Sequence, residues 1–450
     1  MKRFLTQCLH KASRYLRKYL LHGCIVLLFI LGILVYNGNY VERFGTAHFD
    51  CSRLQEFPQL EYSGLTGDIL EDDNAGKLDE FADSLQKRYN SIMELAETYS
   101  CPPTQTIAYV CGQDDLCGGV GDRIQGVIST FYLALLTNSL FHIEWSKPLP
   151  LQEFIVPNRT GIDWIGAGST KALGSKIPVF DYGYPDSLQI IEDANSMNFL
   201  KSWSRYEHIN IHSNQAFWVR LTKNNTWGAQ AAKNYQLDQL PPSYLYTIAS
   251  RLLLSTPSNK LQPYIDEITK QWKDKTAYKI GLHIRTGGEG AWDDPKRVDV
   301  SVAVGCFVDE AIAIYNDFAK NHPSPPMPIF FVATDSQHAT DLLREQLGKF
   351  NYTVYTSHGN ITHLDRAQEG NLFDDNVRTY ADWFVLHQMD ALVITRSGFS
   401  ETVAAMTLKP TRRYVSGSQC KFTNFADVLS MDDWYPRYTW TDYTELGRIP

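Results

Sequence analysis

Ile280-Gly281-Leu282-His283-Ile284-Arg285-Thr286-Gly287-Gly288-Glu289-Gly290 is the stretch on which the fold turns. From Lys279 to Arg285 (KIGLHIR) it is a short apolar run; beyond Arg285 it is a glycine-rich loop. Such a run suits a strand buried on both faces. Side chains alternate along a strand, so His283 and Arg285 share one face, both at the C-terminal end. A guanidinium there stays charged at any working pH and can grip a diphosphate with two parallel N–H bonds. The plainer alternative is an arginine–carboxylate pair beside a core histidine.

Downstream, apolar runs alternate with helical stripes. A helix is predicted over 306–320, a buried strand over Pro328–Thr334 (PIFFVAT), and a helix over 337–347. A strand over Tyr352–Thr356, a helix over 377–389, a strand over Ala391–Thr395 (ALVIT), a helix over 399–408 and a short strand over Arg413–Val415 complete this half. Upstream, Thr106–Cys111 (TIAYVC), Leu140–Trp145 (LFHIEW) and His208–Ile211 (HINI) read as strands. Ile124–Leu136, 242–255 and 261–272 read as helices. The fold class is therefore α/β, with two parallel sheets facing a cleft. Parallel sheets place ligands at the C-terminal ends of their strands.

Three more motifs sit at such ends. Cys117-Gly118-Gly119-Val120-Gly121-Asp122-Arg123-Ile124-Gln125-Gly126 joins a strand to a helix; its glycines suit close backbone approach, and the helix N-terminus offers N–H groups. The bland reading is a tight turn, and without Lys-Ser/Thr it is not a Walker loop. Asp335, after Phe331-Val332-Ala333-Thr334, suits either a guanine-like edge or a helix cap, with Ser336 beside it. Thr395-Arg396-Ser397-Gly398-Phe399-Ser400-Glu401-Thr402 gathers hydroxyls and N–H groups that suit phosphate oxygens, or a plain serine cap.

The chain has 450 residues, 44% hydrophobic, with a formal net charge of −8. That length suits two domains, and the apolar share excludes a mainly disordered chain. The acidic balance argues against a nucleic-acid partner. Lys2, Arg3, Lys11, Arg14, Arg17 and Lys18 precede an apolar stretch from Tyr19 to Tyr36. This predicts a cytoplasmic tail over 1–18 and a signal anchor over 19–37, with the rest lumenal. A cleaved signal is the alternative. Sequons at Asn158, Asn224, Asn351 and Asn360 agree with the secretory route. So does the even lumenal set Cys51, Cys101, Cys111, Cys117, Cys306 and Cys420, whose pairing stays open. No CxxC pair or HExxH signature is present, so a zinc site is not expected.

Residues 38–103 read as a stem carrying an amphipathic helix with the stripe Leu78, Phe81, Ala82, Leu85, Tyr89, Ile92, Leu95 and Ala96. The stripe either packs on the main body or pairs two stems into a homodimer. The Trp- and Tyr-rich tail, 431–450, is expected to pack back on the body.

The His283-Ile284-Arg285 strand, the Ala333-Thr334-Asp335-Ser336 strand end and the Arg396-Ser397-Gly398-Phe399-Ser400 turn, in this order, resemble the fucosyltransferase superfamily. That group includes the α1,2-, α1,6- and protein O-fucosyltransferases. The phrase IGLHIRTGGEG is most similar to the α1,6 type; GGVGDRIQG resembles the α1,2 and plant cell-wall types. The resemblance spans 104–415 and rests on these four short motifs.

It implies a GT-B fold: an N-terminal Rossmann-like domain over 104–275 on the acceptor side, and a donor-binding one over 276–430. It also implies a GDP-fucose donor, a glycan or glycoprotein acceptor, inversion at the anomeric carbon and no metal or other cofactor. By resemblance, Arg285 binds the donor's β-phosphate and His283 binds donor or positions the loop. Asp335 recognises guanine, with Ser336 counted beside it, and Ser397, Phe399 and Ser400 line the diphosphate and sugar. Gly119 and Gly121, with Asp122 and Arg123, approach from the other half.

Two departures stand out. Thr286 occupies the place of a second basic residue in the α1,6 type, and Gly287-Gly288 replaces the Gly-Asp of the α1,2 type. Help at the leaving diphosphate is then expected from Lys296 or Arg297, and a general base from Glu289, Asp293 or Asp294 in the same loop. A type II Golgi membrane enzyme is the expectation. The rivals are an inactive lumenal glycan-binding relative and a Golgi sulfotransferase. The latter needs a lysine in its phosphate loop, and 117–126 contain none.

Overall fold

The computed structural model describes residues 72–99, 105–113, 115, 117–158, 161–165, 179–182, 189–273, 276–287, 299–359, 364, 371–416 and 420–425. The expected tail, anchor and C-terminal tail, and the loop with Glu289, Asp293, Asp294, Lys296 and Arg297, lie outside them. No helix among the described residues is long and apolar enough to cross a membrane.

The first half opens with helix α1 (Asp72–Tyr99), strand β1 (Thr106–Cys111), helix α2 (Val120–Leu136) and strand β2 (Leu140–Trp145). Short strands β3 (Ile155–Val156) and β4 (Val179–Tyr182) follow, then helices α3 (Gln189–Ser196) and α4 (Phe199–Ser202) and strand β5 (His208–Ile211). Helices α5 (Thr226–Lys233) and α6 (Pro242–Leu254), strand β6 (Thr256–Pro257) and helix α7 (Gln262–Thr269) close it. Its sheet is parallel, in the order β2-β1-β5-β4. β3 and β6 form a separate antiparallel ribbon.

The second half runs β7 (Tyr278–Ile284), α8 (Val300–Lys320), β8 (Pro328–Thr334), α9 (Gln337–Gly348), β9 (Thr353–Tyr355), α10 (Leu372–His387), β10 (Ala391–Thr395), α11 (Gly398–Thr407), β11 (Thr411–Ser416) and β12 (Lys421–Asn424). The sheet order is β12-β11-β10-β7-β8-β9, parallel except for β12. β7 is central, which is why its apolar run is unbroken. Ile280, Leu282 and Ile284 face one apolar layer with Phe307 and Leu343. Gly281 faces the other, against Leu386, Met389 and Leu392. That second layer is continuous with the core of the first half, and 56–450 form one compact unit. Two disulfides, Cys111–Cys117 and Cys306–Cys420, close two of the open pairings.

Of the two readings of the α1 stripe, packing on the main body is the one realised along Leu78–Tyr89. The stripe residues Leu78, Phe81, Ala82, Leu85 and Tyr89 of α1 are buried in the chain's own core. Tyr89 Oη donates to the Ser139 carbonyl at 3.2 Å and accepts from the Phe141 amide at 2.7 Å. Arg251 on α6 pairs with Asp79 at 2.6 Å. Over Leu78–Tyr89 this face is covered by the chain itself. Leu85→Ala is expected to cost about 2–5 kcal/mol in urea unfolding, as a buried leucine removed from a core does, with no change in oligomeric state.

Candidate active site

The C-terminal tip of β7 is clamped from both neighbouring strands. Thr395, the last residue of β10, accepts the Arg285 amide at 2.9 Å and donates to the His283 carbonyl at 3.3 Å. From β8, Thr334 Oγ1 donates to the Ile284 carbonyl at 2.7 Å. Asp335 then gathers the turn that follows. Its Oδ1 accepts the Thr286 amide at 2.7 Å and the Thr286 hydroxyl at 3.0 Å, and its Oδ2 accepts the Gly287 amide at 3.0 Å. Gly287 adopts a φ of 67°, a left-handed conformation that favours glycine.

Arg285 completes this cluster. Its Nη1 lies 3.0 Å from Asp335 Oδ2, and the two side chains are 21% and 14% exposed. Both alternatives from the sequence are therefore partly realised: the arginine is ion-paired, yet at the strand tip and in reach of solvent. The pair fixes the plane of the guanidinium fork. Asp335, with four donors on its two oxygens, is a clamp for the turn and for Arg285. Ser336 is fully buried and caps α9 through the Ala339 amide at 3.2 Å, so it does not reach the cleft surface.

His283 shares the face of Arg285, as alternation requires. Its Nδ1 lies 2.8 Å from Ser400 Oγ, and its ring sits 5.0 Å from that of Phe399. Ser400 is fully buried, so it orients His283 rather than lining open space. Ser397 holds the N-cap position of α11, but its hydroxyl makes no cap bond. The plain serine cap is thus ruled out. α11 starts three residues after Thr395, whose hydroxyl accepts the Arg285 amide, so the helix start and the arginine backbone belong to the same strand-tip edge. Arg396, exposed at the same turn, is a second cation at this edge. Behind it, burial raises the Glu401 carboxyl, opposed by Arg413 at 3.1 Å and by Arg396.

The glycine-rich turn of the first half is put to a different use than expected. Asp122 Oδ2 accepts the Gly119 amide at 2.9 Å, a helix-start bond. Arg123 is fully buried: Nε donates to the Gly118 carbonyl at 2.8 Å, Nη1 donates to the Lys147 carbonyl, and the guanidinium lies 4.9 Å from the Trp145 ring. Arg123 is spent inside the protein, and Asp122 holds the same turn. Gly121 packs against Gly398, where a Cβ would come within 2.2 Å of the Gly398 carbonyl carbon. The close approach its missing side chain permits is of helix α2 to helix α11. The two helix N-termini, one from each half, therefore meet.

One pair at the tip of the first sheet escaped sequence reading. His212, just past β5, sets Nδ1 3.0 and 3.1 Å from the two carboxylate oxygens of Asp115. These residues stand 97 positions apart in the chain, and no local pattern links them.

No protein-family model and no curated protein matches the chain. Solved structures do. A variant of Arabidopsis thaliana FUT1 in complex with GDP superposes with a TM-score of 0.51 at 13% identity, over 76% of this chain and 82% of that one. The chain has a fucosyltransferase-like GT-B fold. NodZ α-1,6-fucosyltransferase of Bradyrhizobium, co-crystallised with GDP, gives 0.44 at 13% identity, over 71% and 97% of the two chains. POFUT1 in its apo form gives 0.43 at 13%, over 69% and 98%.

Proposed function

We propose that the chain transfers L-fucose from GDP-fucose to a glycan hydroxyl, with inversion at the anomeric carbon, as a type II membrane protein of the Golgi lumen. The observation that carries the reading is the guanidinium of Arg285, held by Asp335 at the tip of β7 and partly open to solvent. As the C1–O bond to the diphosphate breaks, negative charge gathers on the β-phosphate. A cation held in place at that position stabilises it without reorganising, and in many such reactions nothing else lowers the barrier as much. Arg396 adds a second positive charge at the same edge. His283, oriented by Ser400, and Phe399 stand where donor or loop would be positioned. The acceptor is a glycan or glycoprotein, of α1,6-like or α1,2-like linkage.

The proposed reaction draws its charge stabilisation from protein cations and requires no metal ion. Full chain incubated with GDP-fucose is expected to release GDP, slowly with water as acceptor and faster with a matching glycan from a panel. The rate is expected to stay unchanged in EDTA. GDP binding with no release under any acceptor would make the chain an inactive relative and end this reading.

A further inference from the structure

We propose that Asn351 carries an N-linked glycan, and that this glycan covers the aromatic pair Phe350 and Tyr352. The proposal rests on the lumenal placement in the reading above and is independent of the chemistry at Arg285. Asn351-Tyr352-Thr353 is a sequon. It falls at the turn from α9 into β9. There the Tyr352 amide donates to the Leu347 carbonyl at 3.3 Å, and the Asn351 amide to the Gly348 carbonyl at 3.0 Å. Such a pair of bonds closes a helix on a residue in the left-handed conformation, and Asn351 has a φ of 60°. The backbone amides of the turn are thus spent within it. Asn351 and Thr353, whose side chains the attachment requires, are both exposed.

A left-handed helix end takes asparagine readily, so the plain alternative is a helix terminator without modification. The turn after α2 shows that case. Asn138 has a φ of 51°, and the Ser139 and Asn138 amides donate to the Ala134 and Leu135 carbonyls at 2.8 and 3.2 Å. Its side chain accepts from Tyr235 Oη, and Leu140 stands where a sequon needs Ser or Thr. Asn351 differs on both counts. Thr353 is in place, and no hydrogen bond holds the Asn351 side chain among the described residues.

The surroundings give the glycan something to cover. Phe350 is 52% exposed. Its ring lies 5.9 Å from that of Tyr352 and within 17° of parallel. Tyr352 in turn packs on Phe330 at 5.4 Å and Tyr315 at 6.1 Å, which ties the pair to the core. β9, which follows, is the last strand of its sheet. An exposed aromatic ring beside an edge strand invites association with a second chain. A glycan on the residue between the two rings is bulky and solubilising, and the C–H face of a sugar ring packs well on an aromatic face.

In the attachment, the side-chain nitrogen of Asn351 bonds to C1 of an N-acetylhexosamine carried on a lipid pyrophosphate. The C1–O bond to the pyrophosphate breaks, its electron pair leaves with the lipid, and the amide proton passes to solvent. The lipid-linked sugar and its transferase are those of the secretory route and act before the chain folds. The folded turn then has to carry the product, which an exposed side chain allows.

The test uses full chain made in eukaryotic cells. Peptides spanning the four sequons are treated with an N-glycan-releasing amidase in heavy-oxygen water, which labels each asparagine that bore a glycan. Label is expected at Asn351. Thr353→Val keeps Asn351, its turn and a β-branched residue at the start of β9, and is expected to lose that one glycan. By light scattering it is expected to aggregate at lower protein concentration than wild type. Phe350→Ser in the Thr353→Val background is expected to restore wild-type behaviour, which a merely damaged turn would not allow.

Label at other sequons with Asn351 bare overturns the proposal and leaves the lumenal placement standing. Label at none of the four overturns that placement as well. An occupied Asn351 whose loss leaves aggregation unchanged, or changes it in a way Phe350→Ser does not correct, overturns the covering role.

Discussion

Arg285→Ala is expected to fold and to lose about 10²–10³-fold in the rate of GDP release from GDP-fucose. Two features separate the loss of rate from any loss of structure. First, Asp335 retains the Thr286 amide, the Thr286 hydroxyl and the Gly287 amide when the guanidinium goes, so its carboxylate is not left unsatisfied. Second, the ion pair is part-exposed, and a pair in reach of solvent contributes about 1 kcal/mol or less. The melting temperature should hardly move while turnover collapses. Arg285→Lys keeps the charge but not the planar fork, and is expected to fall between. Stopped-time assays of GDP release, with thermal unfolding in parallel, check both halves. Near-normal release by Arg285→Ala would remove the diphosphate role.

The strand tips are legible because a buried parallel strand writes itself as an apolar run closed by a polar or glycine residue. Thr106–Cys111, Leu140–Trp145, His208–Ile211, Pro328–Thr334 and Ala391–Thr395 appear with the bounds that pattern suggests, and β7 is displaced by one residue. Helix starts are harder. α8 begins at Val300, capped by Asp299, and α10 at Leu372, both several residues earlier than their apolar stripes. β4, the β3–β6 ribbon and antiparallel β12 escape the pattern, being two to four residues long.

At the site, the local motif Arg285-Thr286-Gly287 is readable, but the fourfold use of Asp335 is not. A carboxylate after a strand looks the same in sequence whether it clamps a turn or reads a base. Gly121 poses the same problem: an absent side chain marks close approach without saying what approaches. Asp115 and His212 are silent, because β1 and β5 become neighbours only once the sheet has formed.

Gly121→Ala supplies the second large effect, and its partner glycine makes the test asymmetric. A Cβ at Gly121 would lie 2.2 Å from the carbonyl carbon, 2.4 Å from the oxygen and 2.7 Å from the Cα of Gly398. These are backbone atoms, so no side chain can rotate away and the helices must separate. A Cβ at Gly398 would meet Gly121 Cα at 3.5 Å and Asp122 Oδ1 at 3.7 Å, ordinary contact distances. Overpacking of the first kind costs about 1–3 kcal/mol, whereas Gly398→Ala is expected to be near neutral.

The consequence reaches the chemistry. α2 starts directly after the loop that holds Asp115, and α11 starts at the turn beside Arg285. Forcing them apart widens the gap between the first half and Arg285, the proposed leaving-group cation, and small misplacements of reacting groups cost rate steeply. Gly121→Ala is therefore expected to slow glycan-dependent GDP release by more than its loss of stability implies, while Gly398→Ala keeps both. Denaturant midpoints and release rates for the two variants decide the matter. Equal behaviour of the pair would show that this helix contact does not set the spacing of the two halves.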